Sequence, residues 1–128
     1  MEKELLSVFR SEFKEIASKF TTECFSLSET KAIPERGGVY IFFNDNEVWK
    51  IGKSNTNALR RALEHIRDDT GSQEGKGMAK FKDSSEMKLL LISINDPNDT
   101  HWVLALENYL ERHFSSKGNL VIKSRRNG

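Results

Sequence analysis

The sequence predicts a mixed domain of the α/β (α+β) class, a small sheet set among helices, and three observations carry that reading. Leu6, Phe9, Phe13, Ile16 and Phe20 recur at three- and four-residue steps, the spacing of one helix face. Residues 38–43 (GVYIFF) and 48–51 (VWKI) are β-branched and aromatic runs on either side of Asn44-Asp45-Asn46, the composition of a hairpin. Beyond the hairpin, a further apolar run lies between two stretches of helical period. A chain of 128 residues has the size of one domain with one core, and no internal repeat divides it.

Taken in order, the first amphipathic pattern predicts a helix over about residues 2–25. A linker follows from Ser26 to Gly37, containing Pro34 and running into Gly37-Gly38. In the hairpin, side chains alternate faces, so Tyr40 and Lys50 share a face if the connecting loop has three or five residues and oppose each other if it has two. An odd loop is expected. Ser54, Thr56 or Asn57 would cap the next helix, which runs to about Arg67 with Leu59, Ala62, Leu63 and Ile66 as its buried stripe. Asp68 to Gly77 is polar and glycine-containing, a loop. Met87 to Ile94 (MKLLLISI) reads as a third, central strand. Asn98 or Asp99 opens the last helix, which runs to about Ser115 with Val103, Leu106, Leu110 and Phe114 inward. Leu120-Val121-Ile122 is a candidate short strand before an irregular end.

A charged fraction of 30% beside a hydrophobic fraction of 37% suits a soluble globular protein, and the longest apolar runs are far too short to span a bilayer. Glu2, Lys3 and Glu4 at the start do not form a signal peptide, and the single Cys24 cannot form an internal disulfide, so a reducing, cytoplasmic setting is expected. The net charge of +1 does not itself announce nucleic acid, but its distribution is uneven. Residues 1–47 carry six basic and nine acidic side chains, residues 48–128 fourteen and ten. From Arg112 onward there is no acid, against Arg112, Lys117, Lys123, Arg125 and Arg126. Either an anionic partner or a solvated polar tail accounts for that asymmetry.

Four places could carry chemistry. Glu107 falls four residues after Val103 and three before Leu110, at the border of an apolar stripe, where a carboxylate must pair with a cation or coordinate one. Arg61 and His65 are one helical turn apart, so a guanidinium able to clamp phosphate stands beside an imidazole able to move a proton. Tyr40 lies in an aromatic strand, as a core residue with a tethered hydroxyl or as a reactive phenol. Lys50 interrupts the run Val48-Trp49-Lys50-Ile51, either snorkelling from an edge strand or, if desolvated, serving as a base. Two superficial motifs fail. Gly52-Lys53-Ser54 lacks the earlier glycine of a phosphate loop, Glu47 standing in its place, and His65, His101 and His113 with one cysteine have no zinc-ligand spacing.

Gly38-Val39-Tyr40, Lys50-Ile51-Gly52, Asn57 with Arg61, His65, Glu107 within Leu106-Glu107-Asn108-Tyr109-Leu110, and Asn119 together resemble, in order and spacing, the GIY-YIG nuclease superfamily. The resemblance covers about residues 37–120. It implies a small three-stranded antiparallel sheet flanked by helices as the core; the extra N-terminal amphipathic helix (1–30) and the basic tail (121–128) lie outside it. It also implies roles: Tyr40 as the first-motif tyrosine, Arg61 on the scissile phosphate, His65 near the nucleophile, Glu107 holding one divalent ion (Mg²⁺ or Mn²⁺), and Asn119 orienting groups at the site. Lys50 stands where a second tyrosine is expected. It either supplies a base or positive charge, or marks a domain that binds without cutting. Ungapped counting would match Arg60; Arg61 is preferred because it alone lies four residues from His65. The function implied is a metal-dependent endonuclease acting on duplex or branched DNA. The alternative is a catalytically inactive nucleic-acid-binding or protein-interaction module on the same fold. The first helix is the expected surface for a homodimer or a protein partner.

Overall fold

A computed structural model describes residues 1–29, 32–68 and 77–122. Most of the expected loop at 68–77 and of the basic tail at 121–128 lies outside the described residues. The elements are α1 (Glu2–Glu12), β1 (Phe20–Ser26), β2 (Gly38–Phe43), β3 (Val48–Ser54), α2 (Ala58–Asp68), β4 (Lys88–Ile94) and α3 (His101–Ser116). The four strands form one antiparallel sheet in the order β1-β4-β2-β3.

The fourth strand corrects the sequence reading, which expects three strands and a helix to about residue 25. The helix stops at Glu12, the backbone leaves helical geometry at Phe13, and Phe20–Ser26 pairs along β4 from Phe20↔Ile94 to Ser26↔Lys88. The helical period of Phe13, Ile16 and Phe20 is coincidental past that point. Thr21-Thr22 favours extended backbone, and Phe20 and Phe25, of opposite parity, enter the cores on opposite faces of the sheet. The N-terminal segment is therefore part of the sheet as well as a helix.

β2 and β4 are central, as their uninterrupted apolar sequences predict. One face of the sheet carries Val39, Ile41, Ile51, Leu90 and Ile92 against Leu5 and Phe9 of α1 and against Val103, Leu106, Leu110 and Phe114 of α3. The apolar face of α1 is thus used inside this domain. The other face carries Tyr40, Phe42, Leu89 and Leu91 against Ala58, Ala62 and Ile66 of α2. Leu63 does not belong to that stripe. It is 44% exposed, and the inward position is taken by His65. Among the described residues, no helix is long and apolar enough to cross a membrane.

The hairpin settles its register in an unexpected way. Asn44 N–H donates to Glu47 O at 3.0 Å, closing a two-residue tip that the Asn44 side chain braces by accepting from the Asn46 and Glu47 amides. That tip alone would separate Tyr40 from Lys50. However, Phe43 pairs with Val48 while Phe42 pairs with Lys50, so Trp49 is an extra residue in β3, a bulge that shifts parity by one. Tyr40, Phe42, Lys50 and Gly52 consequently project to one face. The shared face is as expected, although an even tip plus a bulge replaces the odd loop.

Two helix ends fix the remaining parts of the site. Asn57 Oδ1 accepts the Arg60 N–H at 3.0 Å and caps α2, while Ser54 Oγ holds the Thr56 and Asn57 amides. Asn57→Ala is expected to destabilise the fold by about 1 kcal/mol, read from the midpoint of urea unfolding. α3 ends at Ser116 and is closed off by Gly118, whose φ of +76° suits glycine; its amide reaches Ser115 O, and the Asn119 amide reaches Phe114 O. The chain then turns back and lies parallel to β3 at Val48↔Leu120.

Candidate active site

The site is built around the Tyr40 phenol. Tyr40 is 3% exposed and faces α2 from the middle of β2. Its register partner on β3 is Gly52, where a Cβ would collide with the phenol Oη and Cζ atoms. The glycine of Lys50-Ile51-Gly52 therefore makes room for the tyrosine of Gly38-Val39-Tyr40.

Over the phenol stands the last part of α2. His65, 4% exposed, brings Nε2 to 2.8 Å from Tyr40 Oη, a hydrogen bond in which either group can donate, according to the imidazole tautomer. Arg61 lies one turn earlier and bonds Glu64 through Nη1 at 3.1 Å. Arg60 is exposed, and it is Arg61 whose charge acts on the phenol, in agreement with the four-residue step to His65. Glu107 comes from α3, on the opposite face of the sheet across edge strand β3, and is 5% exposed. Its charge also reaches the phenol.

These groups act on the phenol unequally. Burial pushes Tyr40 up to about 12; the Arg61 charge and hydrogen bonding pull it down, and the Glu107 and Glu64 carboxylates push it up. At neutral pH only about one molecule in 10⁵ carries a tyrosinate. The raised value also ties stability to pH. The unfolded phenol ionises near its ordinary value of 10.0 and the folded one near 12, so the contribution is whole below pH 10 and is lost as pH rises toward 12. About 3 kcal/mol is at stake. Alkaline unfolding followed by circular dichroism is expected to be steeper in the parent than in Tyr40→Phe across that window.

The remaining expected residues stand at different distances. Lys50 is half-buried and lies two residues before Gly52 on the same face of β3. Asn119 is beside Val48, whose amide donates to Asn119 O at 3.0 Å, which sets it about 13 Å along β3 from Gly52. Tyr40, Arg61 and His65 thus come together on one face of the sheet, Glu107 acts on the phenol by its charge from the other, Lys50 flanks Gly52, and Asn119 joins through its backbone at the far end of the strand. Glu64 was missed by the sequence reading. Its three-residue spacing from Arg61 is the signal that marks it.

No group of three or more His, Cys, Asp or Glu side chains that could hold a metal ion forms among the described residues. The buried oxygen donor of Glu107 fits a hard ion that keeps much of its water shell, Mg²⁺ or Mn²⁺, rather than a zinc-type cage. Comparison with protein-family models, with curated proteins and with solved structures found no match for this chain.

Proposed function

We propose that this protein is a metal-dependent endonuclease that hydrolyses phosphodiester bonds in DNA at the Tyr40 site. The observation that carries the reading is the 2.8 Å Tyr40–His65 hydrogen bond, with Arg61 and Glu107 acting electrically on the same phenol. A structural tyrosine needs one partner for its hydroxyl. An imidazole bonded to one hydroxyl, with a guanidinium and a buried carboxylate acting on it by their charges, suits acid–base work on an anion.

Arg61 would clamp the scissile phosphate and offset the charge that builds on it during attack. A phenol held near pKa 12 is a poor standing base, so Tyr40 works as a relay. As the attacking water gives a proton to Oη, the phenol gives its own to His65 Nε2. The water oxygen bonds to phosphorus, the leaving oxygen departs on the opposite side, and His65 returns its proton to solvent. Lys50 adds positive charge to the face on which this happens. Glu107 is the residue that would hold one Mg²⁺ or Mn²⁺, which when bound supplies charge stabilisation to the phosphate and the leaving oxygen.

The experiment is incubation of the protein with supercoiled plasmid and with branched oligonucleotides in Mg²⁺ or Mn²⁺. Nicked or linear products that EDTA prevents are expected. DNA retention without nicking in either metal contradicts hydrolysis and identifies a binding module on the same fold.

A further inference from the structure

Glu64 is a charged residue at the centre that the relay above does not use. Its Oε2 lies 3.1 Å from Arg61 Nη1, three residues away on α2, and the two side chains are 32% and 43% exposed. One turn of helix therefore presents Arg61, Glu64 and His65 together, and all three act on Tyr40. His65 does so by a hydrogen bond, Arg61 and Glu64 through charges of opposite sign.

As a surface ion pair this contact adds little to stability. On a face that must meet DNA, the carboxylate also repels phosphate, so charge alone argues against its presence there. Geometry argues for it. An arginine side chain is long and rotamer-rich, and bidentate contact with a phosphate needs its planar fork held in one orientation. Glu64 takes a hydrogen of Nη1 and leaves the other N–H donors of the guanidinium for other partners. The carboxylate is itself on the same rigid helix turn as the residue it holds, so the orientation it imposes is referred directly to His65 and the phenol.

We propose that Glu64 is a positioning residue: its carboxylate fixes the Arg61 guanidinium so that the remaining N–H groups face the Tyr40 hydroxyl and the phosphate beside it. The inference rests on the nuclease reading and adds to it a residue that the motif resemblance does not name. Its rival is an internal competitor, a carboxylate that occupies Arg61 until phosphate displaces it.

Steady-state plasmid cleavage separates the two. Glu64→Ala is expected to lower kcat roughly tenfold or more while KM changes by less than about twofold, because a misoriented clamp costs the reaction more than it costs binding. Glu64→Gln, which keeps an oxygen acceptor for Nη1, is expected to recover to within about threefold of the parent. A second readout needs no cleavage: the ¹⁵N relaxation of Arg61 Nε–H should report an ordered side chain in the parent and in Glu64→Gln, and a mobile one in Glu64→Ala. Undiminished kcat in Glu64→Ala, with tighter binding of a short DNA duplex in EDTA, would establish the competitor and overturn the proposal. Unchanged Arg61 order in Glu64→Ala overturns it as well. A parent protein that cleaves no DNA removes the nuclease reading alone, and the relaxation measurement still decides whether Glu64 holds Arg61.

Discussion

Glu107→Ala is expected to lower Mg²⁺-dependent cleavage by roughly 10³-fold or more while the protein stays folded. Glu107 is 5% exposed on a helix whose neighbouring inward residues, Val103, Leu106, Leu110 and Phe114, are apolar. Alanine is a better helix former, which offsets part of the cost of truncating a buried side chain. Removing it takes away the buried charge that would hold the ion while Val103, Leu106, Leu110 and Phe114 still supply the apolar stripe. The midpoint of thermal unfolding should move by no more than about 5 °C. The two effects separate cleanly in a plasmid assay run beside a circular dichroism melt. Cleavage at the parent rate would remove Glu107 from the site, and a lost melt would make it a structural residue.

Gly52→Ala is the second large effect, and it acts through Tyr40. The added methyl would occupy the place of the phenol Oη and Cζ, with the two residues directly opposite in register. Tyr40 is buried among Phe42, Ala58, Ala62 and Ile66, so the ring has little free volume into which to retreat. Overpacking of this kind costs about 1–3 kcal/mol. Displacing the hydroxyl breaks the 2.8 Å bond to His65, and a shift of about 1 Å at a reacting group costs on the order of 10²-fold in rate. Urea unfolding and plasmid cleavage together test this. A stable variant with full activity would mean that the phenol position is unimportant.

What could be read from the sequence follows from the range of each interaction. Helical period and apolar runs are local, and they located β2, β4, α2 and α3 within a few residues. The four inward residues of α3 were legible because Val103, Leu106, Leu110 and Phe114 keep one unbroken stripe. β1 was not. Phe13, Ile16 and Phe20 continue a helical period by chance, and only pairing with β4, about seventy residues away in sequence, makes Phe20–Ser26 a strand. The bulge at Trp49 was illegible for a similar reason, since a bulge belongs to two strands at once. Leu63 and His65 exchanged expected places because hydropathy ranks leucine as the buried residue, whereas the hydroxyl of Tyr40 gives the imidazole a partner inside. Among the candidate site residues, the closeness of Arg61 and His65 is legible from their spacing, and the burial of Glu107 from its position in an apolar stripe. That Gly52 underlies Tyr40 could be known only from strand register.

The central claim is that charges on both helices act on one hydroxyl carried by the strand, and the ionisation of that hydroxyl tests it most directly. With ¹³C label at the tyrosine Cζ, pH titration by NMR would follow Tyr40 in the parent, in Arg61→Gln and in Glu107→Gln. The account predicts a phenol titrating near 12 in the parent, higher without the Arg61 cation and lower without the Glu107 anion. A Tyr40 that titrates alike in all three proteins would contradict it.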